Sequence, residues 1–242
     1  MLHILSKEFS SFLNSLIAYV VIGVFLLAMG LLMWVFPETS VMDYGYADMQ
    51  TLFSLAPYIF IFLIPAIPMR SFAEEKKAGT MELLFTKPLS DWDIILGKYF
   101  SAFLLALFAL LPTLVYYYCI YMLGNPKGNL DTPGIIGSYI GLSMVAAAFC
   151  AVGIFASCIT PNQIVAFVVG AFLCFLLFSG FESMSALPFW AANALAVKQF
   201  GILFHYESLS RGLIDTRDIV YFFSLALVLL SITKLILGSR QW

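Results

Sequence analysis

Charged residues are scarce in this sequence of 242 residues, at 11% against about 25% in soluble domains. Hydrophobic residues make up 62% of it, and the mean hydropathy is +0.97. A core surrounded by water cannot absorb so much apolar surface. The composition therefore excludes an ordinary soluble domain and predicts lipid as the solvent for most of the chain. The formal net charge of −2 suggests no role in nucleic-acid binding.

The sequence also lacks the common motifs of enzymes and metalloproteins. It contains no GxxxxGKS/T phosphate-binding loop, because its nearest candidate, Gly97-Lys98, is followed by Tyr99. The four cysteines lie in apolar runs without CxxC spacing, which is typical of small core residues and not of metal ligands or disulfides. We therefore expect no catalytic residues, no cofactor and no metal site. If ATP drives the protein, another chain hydrolyses it.

Six apolar runs are long enough to cross a membrane, which takes about 20 residues as a helix. Residues 132–181 contain no Asp, Glu, Lys or Arg; they are too many for one span, and Pro161 followed by Asn162 divides them into two. The runs predict an all-α integral membrane protein with one transmembrane domain over residues 1–242. The predicted spans cover about residues 17–36, 52–69, 99–123, 134–159, 164–181 and 219–237.

No ionisable residue lies near the middle of any predicted span. Transporters driven by protons or ions usually place such residues inside the bilayer, so their absence argues against a self-sufficient secondary carrier. Backbone carbonyls at broken helices also bind ions, so the carrier stays an alternative. A membrane scaffold without transport activity is a third reading that the sequence leaves open.

One loop, residues 70–98, contains ten charged residues, five basic and five acidic. If both termini lie on the side of this loop, that side carries eight basic residues and the other side carries four. Basic residues favour the cytoplasmic side of a membrane, so we expect the loop and both termini to be cytoplasmic. The eight are Lys7, Arg70, Lys76, Lys77, Lys87, Lys98, Lys234 and Arg240, and the four are Lys127, Lys198, Arg211 and Arg217.

Start and stop signals divide the charged loop into short helices. Ser71 followed by Glu74 has the spacing of a capping box, in which the serine side chain caps a helix. Gly79 is a natural helix stop. Ser90 followed by Asp93 predicts the start of the helix that leads into the third span.

A second short turn is predicted over residues 81–85, with Thr80 as its cap and Glu82 in its first turn. This turn would expose three apolar side chains. They could fill a groove on a partner protein, or they could lie on the membrane surface without a partner, and the residues alone do not separate these readings. The three side chains are Leu83, Leu84 and Phe85.

The segment between the fifth and sixth spans, residues 182–217, divides into two parts. Residues 186–197 are apolar but too short to cross, which fits a re-entrant or interfacial helix and equally an ordinary external loop. Glu207, Arg211 and Asp215 follow at i,i+4 spacing, which predicts a short amphipathic outer helix.

Glycine and proline indicate how the spans pack. Gly137 and Gly141 form a GxxxG pattern in the fourth span, which marks close helix packing, and we favour packing within one subunit over a dimer contact. The second span contains Pro57, Pro65 and Pro68, which are expected to kink or end its helix.

The charged loop strongly resembles the same region of ABC-2 type permeases. Their pattern is an acidic residue, Gly-Thr, an acidic residue with Leu-Leu, then Pro-Leu-Ser or Pro-Ile-Ser, and later Gly-Lys. The resemblance covers essentially the whole chain, from an N-terminal helix over residues 2–14 to an outer helix at 207–215. The pattern matches Glu75, Gly79, Thr80, Glu82, Leu83, Leu84, Pro88, Leu89, Ser90, Gly97 and Lys98.

This resemblance implies a type V exporter-like permease whose loop contains a coupling helix that docks into a separate ATPase subunit. It also implies a dimer, with a second permease copy or a related permease-like subunit, in the bacterial inner membrane. The residues expected to couple to the ATPase are Glu74, Glu75, Gly79, Thr80, Glu82, Leu83, Leu84 and Phe85.

A narrower resemblance points to the gliding-motility-associated ABC transporter permeases of Bacteroidota. It rests on four short runs, at residues 62–66 with 69–72, 110–114, 123–126 and 161–167. It implies a role in gliding motility together with a second permease-like subunit and an ATPase. The substrate, and the choice between export and mechanical work, stay open.

Overall fold

The computed structural model describes residues 1–43, 47–81 and 89–239, with the backbone alone at 190–192. Over these ranges the chain is α-helical and contains no strand. Six helices in the described ranges are long and apolar enough to cross a membrane, which confirms the predicted number of spans. The spans are Leu16–Trp34, Gln50–Lys77, Asp91–Leu123, Thr132–Ile159, Gln163–Ser185 and Thr216–Gly238.

The helices are numbered here in chain order, and several spans consist of two consecutive helices joined by a tight turn. The α-helices are α1 Leu2–Leu13, α2 Leu16–Trp34, α3 Gln50–Ala66, α4 Ala73–Lys77, α5 Asp91–Leu110, α6 Leu114–Leu123, α7 Thr132–Ile159, α8 Gln163–Phe175, α9 Phe181–Ser185, α10 Ala194–Lys198, α11 Ile202–Ser210 and α12 Thr216–Gly238. Short 3-10 turns cover Pro68–Arg70, Leu111–Thr113 and Pro188–Asn193, and a π-helical turn covers Leu176–Gly180.

The prolines of the second span differ in their effect. α3 runs through Pro57 but ends at Ala66, directly after Pro65, and Pro68 then opens a 3-10 turn. Two missing backbone donors within four residues explain why the α-helix ends there. A glycine of the fourth span packs against this turn, since a Cβ on Gly153 would lie 2.5 Å from Pro68 Cγ.

The third span begins at Asp91, earlier than its apolar run alone predicts, because Ser90 caps it. Ser90 Oγ accepts a hydrogen bond from the Asp93 N–H at 3.2 Å and donates one to Asp93 Oδ2 at 2.6 Å. The predicted start signal is confirmed. The extra turns place Gly97 and Lys98 within the helix, where they can face other elements of the bundle.

The bundle has two ends of different chemical character. α1, α4 and the first turns of α5 lie together at one end, which we call the basic end because it contains Arg70 and Lys98. α11 and the first turns of α7 lie together at the opposite end. Helices α3, α5 and α12 all pack against the fourth span, α7, which lies at the centre of the bundle.

Small residues bring the fourth span and α11 into close contact at the opposite end. A Cβ on Gly137 would lie 2.7 Å from Gly212 Cα, and one on Gly141 would lie 2.8 Å from Leu209 Cβ. Both neighbours belong to the same chain, so the predicted packing within one subunit is confirmed. Gly212 has a φ of +78°, which favours glycine at the turn that ends α11.

A buried tyrosine also fastens α11 to the second span. The Tyr206 hydroxyl donates a hydrogen bond to the Phe53 carbonyl at 2.6 Å. Burial raises the pKa of the Tyr206 phenol, so its hydroxyl stays protonated and continues to donate at ordinary pH. α11 is therefore held by the spans on two sides.

We predict that Gly137→Ala lowers the melting temperature of the purified protein. The added methyl group would meet backbone atoms of the turn after α11, which cannot move aside as a flexible side chain can, at a cost of about 1–3 kcal/mol. Gly23→Ala is the matched control, because this helical glycine has nothing within 4 Å of the added Cβ. Equal melting temperatures for the two variants would contradict the packing described here.

Candidate functional site

A single lysine lies at the centre of the basic end. Lys98 is on α5, and its side chain is only 1% exposed. Its ammonium donates hydrogen bonds to the Ser71 carbonyl at 2.8 Å, to Glu75 Oε1 at 2.8 Å and to Glu8 Oε1 at 3.2 Å. A lysine ammonium has three donor protons, so these contacts use all of them.

The three acceptors come from α1 and from two neighbouring elements of the second span. Glu8 lies on α1, Ser71 follows the 3-10 turn at the end of α3, and Glu75 lies on α4. They stand 90, 27 and 23 residues away from Lys98 in the sequence. One ammonium thus joins the N-terminal helix and the end of the second span, including α4, to the third span. We call these four residues the Lys98 node.

Apolar side chains shield the node from water. Phe72 is fully buried, and the centre of its ring lies 5.1 Å from Lys98 Nζ, within the range of a cation–π interaction. The side chains of Glu8 and Glu75 are 14% and 18% exposed. A charge in such surroundings is costly unless it is paired, so the ammonium and the carboxylates depend on one another.

The node has more acceptors than its lysine can fill. Two carboxylates, from Glu8 and Glu75, face the single ammonium. Glu75 Oε2 is buried and has no hydrogen-bond partner among the described residues. Among the described residues, Glu75 Oε2, on α4, is therefore an unfilled acceptor of the node.

Gly97 allows α1 to approach the third span. A Cβ on Gly97 would lie 2.9 Å from Ile4 Cγ2 and 3.0 Å from Ile4 Cβ. Glu8 is one helical turn beyond Ile4, so the same contact brings its carboxylate towards Lys98. The Gly-Lys pair in the sequence therefore has two linked roles: the glycine admits α1, and the lysine binds it.

α4 ends in a Schellman motif built on Gly79 and Thr80. Gly79 has a φ of +67°, and its N–H donates to the Lys76 carbonyl at 3.3 Å. The Thr80 N–H donates to the Glu75 carbonyl at 3.0 Å. These two hydrogen bonds define the motif and confirm Gly79 as the predicted helix stop. The motif fixes the direction in which the chain leaves α4.

Residues 37–233 match the sequence family described as ABC-2 family transporter protein. The chain belongs to this family. A comparison with curated proteins gave no match. Membership confirms the resemblance to ABC-2 type permeases and makes the chain a membrane permease component of an ABC transporter. The matched range holds Ser71, Glu75 and Lys98, whereas α1 with Glu8 lies before it.

The predicted coupling residues of this ABC-2 permease have different positions in the structure. Glu75 belongs to the Lys98 node, and Gly79 and Thr80 terminate α4. Glu74 is exposed. The remaining four, Glu82, Leu83, Leu84 and Phe85, lie outside the described residues, as does the predicted turn over 81–85 apart from Met81.

The predicted capping box of the permease is wrong. Ser71 has helical backbone angles, φ −54° and ψ −51°, whereas a capping residue needs an extended conformation. α4 starts at Ala73 without a side-chain cap, because the 3-10 turn leads into it almost without a break. Ser71 Oγ is buried and has no hydrogen-bond partner among the described residues, while its carbonyl accepts from Lys98.

The predicted outer helix is shorter than its charge spacing suggests. α11 ends before Arg211, and Gly212 turns the chain away. Asp215 instead caps α12, where its Oδ1 accepts a hydrogen bond from the Arg217 N–H at 3.0 Å. Within the described part of the chain, Arg211 forms an ion pair with neither Glu207 nor Asp215. Despite their i,i+4 spacing, Glu207, Arg211 and Asp215 therefore do not lie on one continuous helix.

The sequence reasoning missed Glu8, although a signal existed. Lys98 lies at the start of an apolar helix and has no acidic residue three or four positions away on α5. A buried lysine needs such a partner, and Glu8 is the one acidic residue of α1. The reasoning also missed the pair between His205 Nδ1 and Asp218 Oδ1, 2.7 Å apart, which joins α11 to α12.

We predict that Lys98→Met lowers the free energy of unfolding by about 3–5 kcal/mol, because it leaves buried carboxylates without a counter-charge. Thermal unfolding in detergent measures the effect. Lys98→Met combined with Glu75→Gln should recover part of the loss, since it removes one of the unpaired charges.

The matched control for this prediction is Lys198→Met. Lys198 pairs with Glu182 at 3.5 Å, but both side chains are more than 40% exposed, so little change is expected. If Lys98→Met proved as harmless as Lys198→Met, the node would not be a stabilising element.

Proposed function

We propose that this permease couples ATP hydrolysis by a separate ABC ATPase subunit to substrate export or to mechanical work across the membrane. The observation that supports the proposal is the Lys98 node, in which one buried charge joins α4, at the end of the second span, to the third span. α4 belongs to the region that the family resemblance assigns to the coupling helix. A partner bound there would act on the spans through the node.

The node provides a physical route from α4 to the membrane. α4 has five residues, too few for a helix that is stable on its own, so its position depends on its contacts. Glu75 binds Lys98, and Ala73 is buried beside the spans. A force on α4 must move Lys98 with it or separate a buried ion pair at a cost of about 3–5 kcal/mol. Moving together is therefore favoured, and the third span follows α4.

α1 is the second element that the node would move. Glu8 binds the same ammonium as Glu75, and Ile4 packs on Gly97. A displacement that starts at α4 would thus reach the N-terminal helix without a direct contact between the ATPase and α1. This route uses only the contacts of the Lys98 ammonium with Glu8, Ser71 and Glu75.

Docking to a cytoplasmic ATPase requires the basic end to face the cytoplasm. The excess of basic residues on that side, eight against four, supports this orientation. We therefore propose that the permease lies in the bacterial inner membrane with both termini in the cytoplasm.

We further propose that the permease works as a dimer, with a second copy or with a related permease-like subunit, and that it serves gliding motility. The four short runs shared with gliding-motility-associated permeases support this part of the proposal. They concern the spans and the loops between them and do not identify a transported substrate.

Purification of the tagged protein from its native membrane in mild detergent, followed by quantitative mass spectrometry, tests the assembly. We expect a P-loop ATPase in a one-to-one ratio, and any second permease would distinguish a heterodimer from a homodimer. Alanine at both Leu83 and Leu84 should reduce recovery of the ATPase, because these side chains are the apolar anchors of the coupling region. A chain that repeatedly arrives alone would favour a self-sufficient carrier or a scaffold instead.

We predict that Glu75→Gln reduces ATP hydrolysis stimulated by the permease about tenfold without preventing assembly, because a charged hydrogen bond is worth about 1.5–3 kcal/mol. The measurement is ATPase activity of the purified complex in lipid nanodiscs. Glu74→Gln is the matched control, since Glu74 precedes Glu75 in the sequence but its side chain is exposed. Equal activity for the two variants would remove the node from the coupling route.

A further inference from the structure

An apolar groove runs along the bundle between the third, fourth and sixth spans. Its volume is about 800 Å³, and its lining is mostly apolar and includes the aromatic residues Trp92, Phe103 and Phe222. The Tyr139 hydroxyl at its wall is bonded to Thr113 Oγ1 at 3.0 Å, so that polar group is already satisfied within the chain. An occupant of this groove must therefore be apolar along most of its length.

The groove opens towards the surroundings of the bundle. Phe223 and Leu227, on its rim, are 75% and 60% exposed. From Trp92 to Phe103 the third span rises about 16 Å, at roughly 1.5 Å per residue. One leaflet of the hydrocarbon core is about 15 Å deep, half of the whole, so this part of the groove matches the depth of one leaflet. The lining continues beyond it to Leu114.

A positive charge lies at the basic end of the groove. The Lys234 ammonium is 5.3 Å from the centre of the Trp92 ring, which lines the groove. Among the described residues no carboxylate forms an ion pair with Lys234. Lysine at the end of a span reaches the headgroup level, where phosphates lie. The Lys234 ammonium would therefore attract a negatively charged group at the end of the groove.

We propose that the groove binds one acyl chain of an anionic phospholipid, whose phosphate pairs with Lys234. The apolar lining fits the chain, the stretch from Trp92 to Phe103 has the depth of one leaflet, and an ammonium without an ion pair among the described residues selects for an anionic headgroup over a zwitterionic one. The binding site does not depend on the proposed ATP-driven function.

Native mass spectrometry tests the proposal directly. The full-length protein is given equal amounts of phosphatidylglycerol and phosphatidylcholine with identical acyl chains, and the retained lipid is counted. We expect the unmodified protein to prefer phosphatidylglycerol. Lys234→Gln should reduce that preference about fivefold, the effect of one basic residue near the headgroups, whereas Lys234→Arg should keep it.

Two further variants separate the groove from general lipid adhesion. Ala226→Phe fills the groove and should lower retention of both lipids, while Lys198→Gln, at the opposite end, should change neither. If Ala226→Phe does not fold, the two Lys234 variants still decide the matter. The proposal is overturned if the unmodified protein shows no preference or if Lys234→Gln keeps it. It is also overturned if Ala226→Phe breaks a dimer and leaves lipid retention unchanged, because the occupant is then a second copy of the chain.

Discussion

Removing an ammonium group from water is among the most expensive steps in folding, and Lys98 imposes this step on the permease. The cost is acceptable only where carboxylates and carbonyls replace the lost water. No acidic residue of α5 is close enough to do so, and the acceptors come from α1, from the end of the second span and from α4. The need to pair one charge therefore determines how α1 and the end of the second span meet the third span at the basic end.

The rest of the bundle depends on close backbone contact, because apolar side chains gain little by leaving lipid for one another. Glycines supply this contact where helices cross. Gly97 admits α1, Gly153 admits the proline turn that ends α3, and Gly137 admits the turn after α11. The first two contacts adjoin the Lys98 node, so packing and charge pairing support each other there.

The two ends of the bundle consequently differ in their physical chemistry. The basic end is held together by the buried charges of Lys98, Glu8 and Glu75. Its helix α4 has five residues and depends on these contacts for its position. The opposite end is held by small residues, by the hydrogen bond from Tyr206 to the Phe53 carbonyl and by the pair between His205 and Asp218.

The sequence by itself determined that most of the chain lies in lipid, how many spans it has, and where helices start at Ser90 and stop at Gly79. Hydropathy and capping are local properties, so a single sequence reveals them. A local signal was also wrong: the spacing of Ser71 and Glu74 predicted a helix start, but the 3-10 turn before Ser71 already gives it a helical backbone. The tertiary structure alone decided that Glu8 and Glu75 share the Lys98 ammonium. A pairing across 90 residues leaves no periodic trace in the sequence and arises only when packed helices bring the groups together.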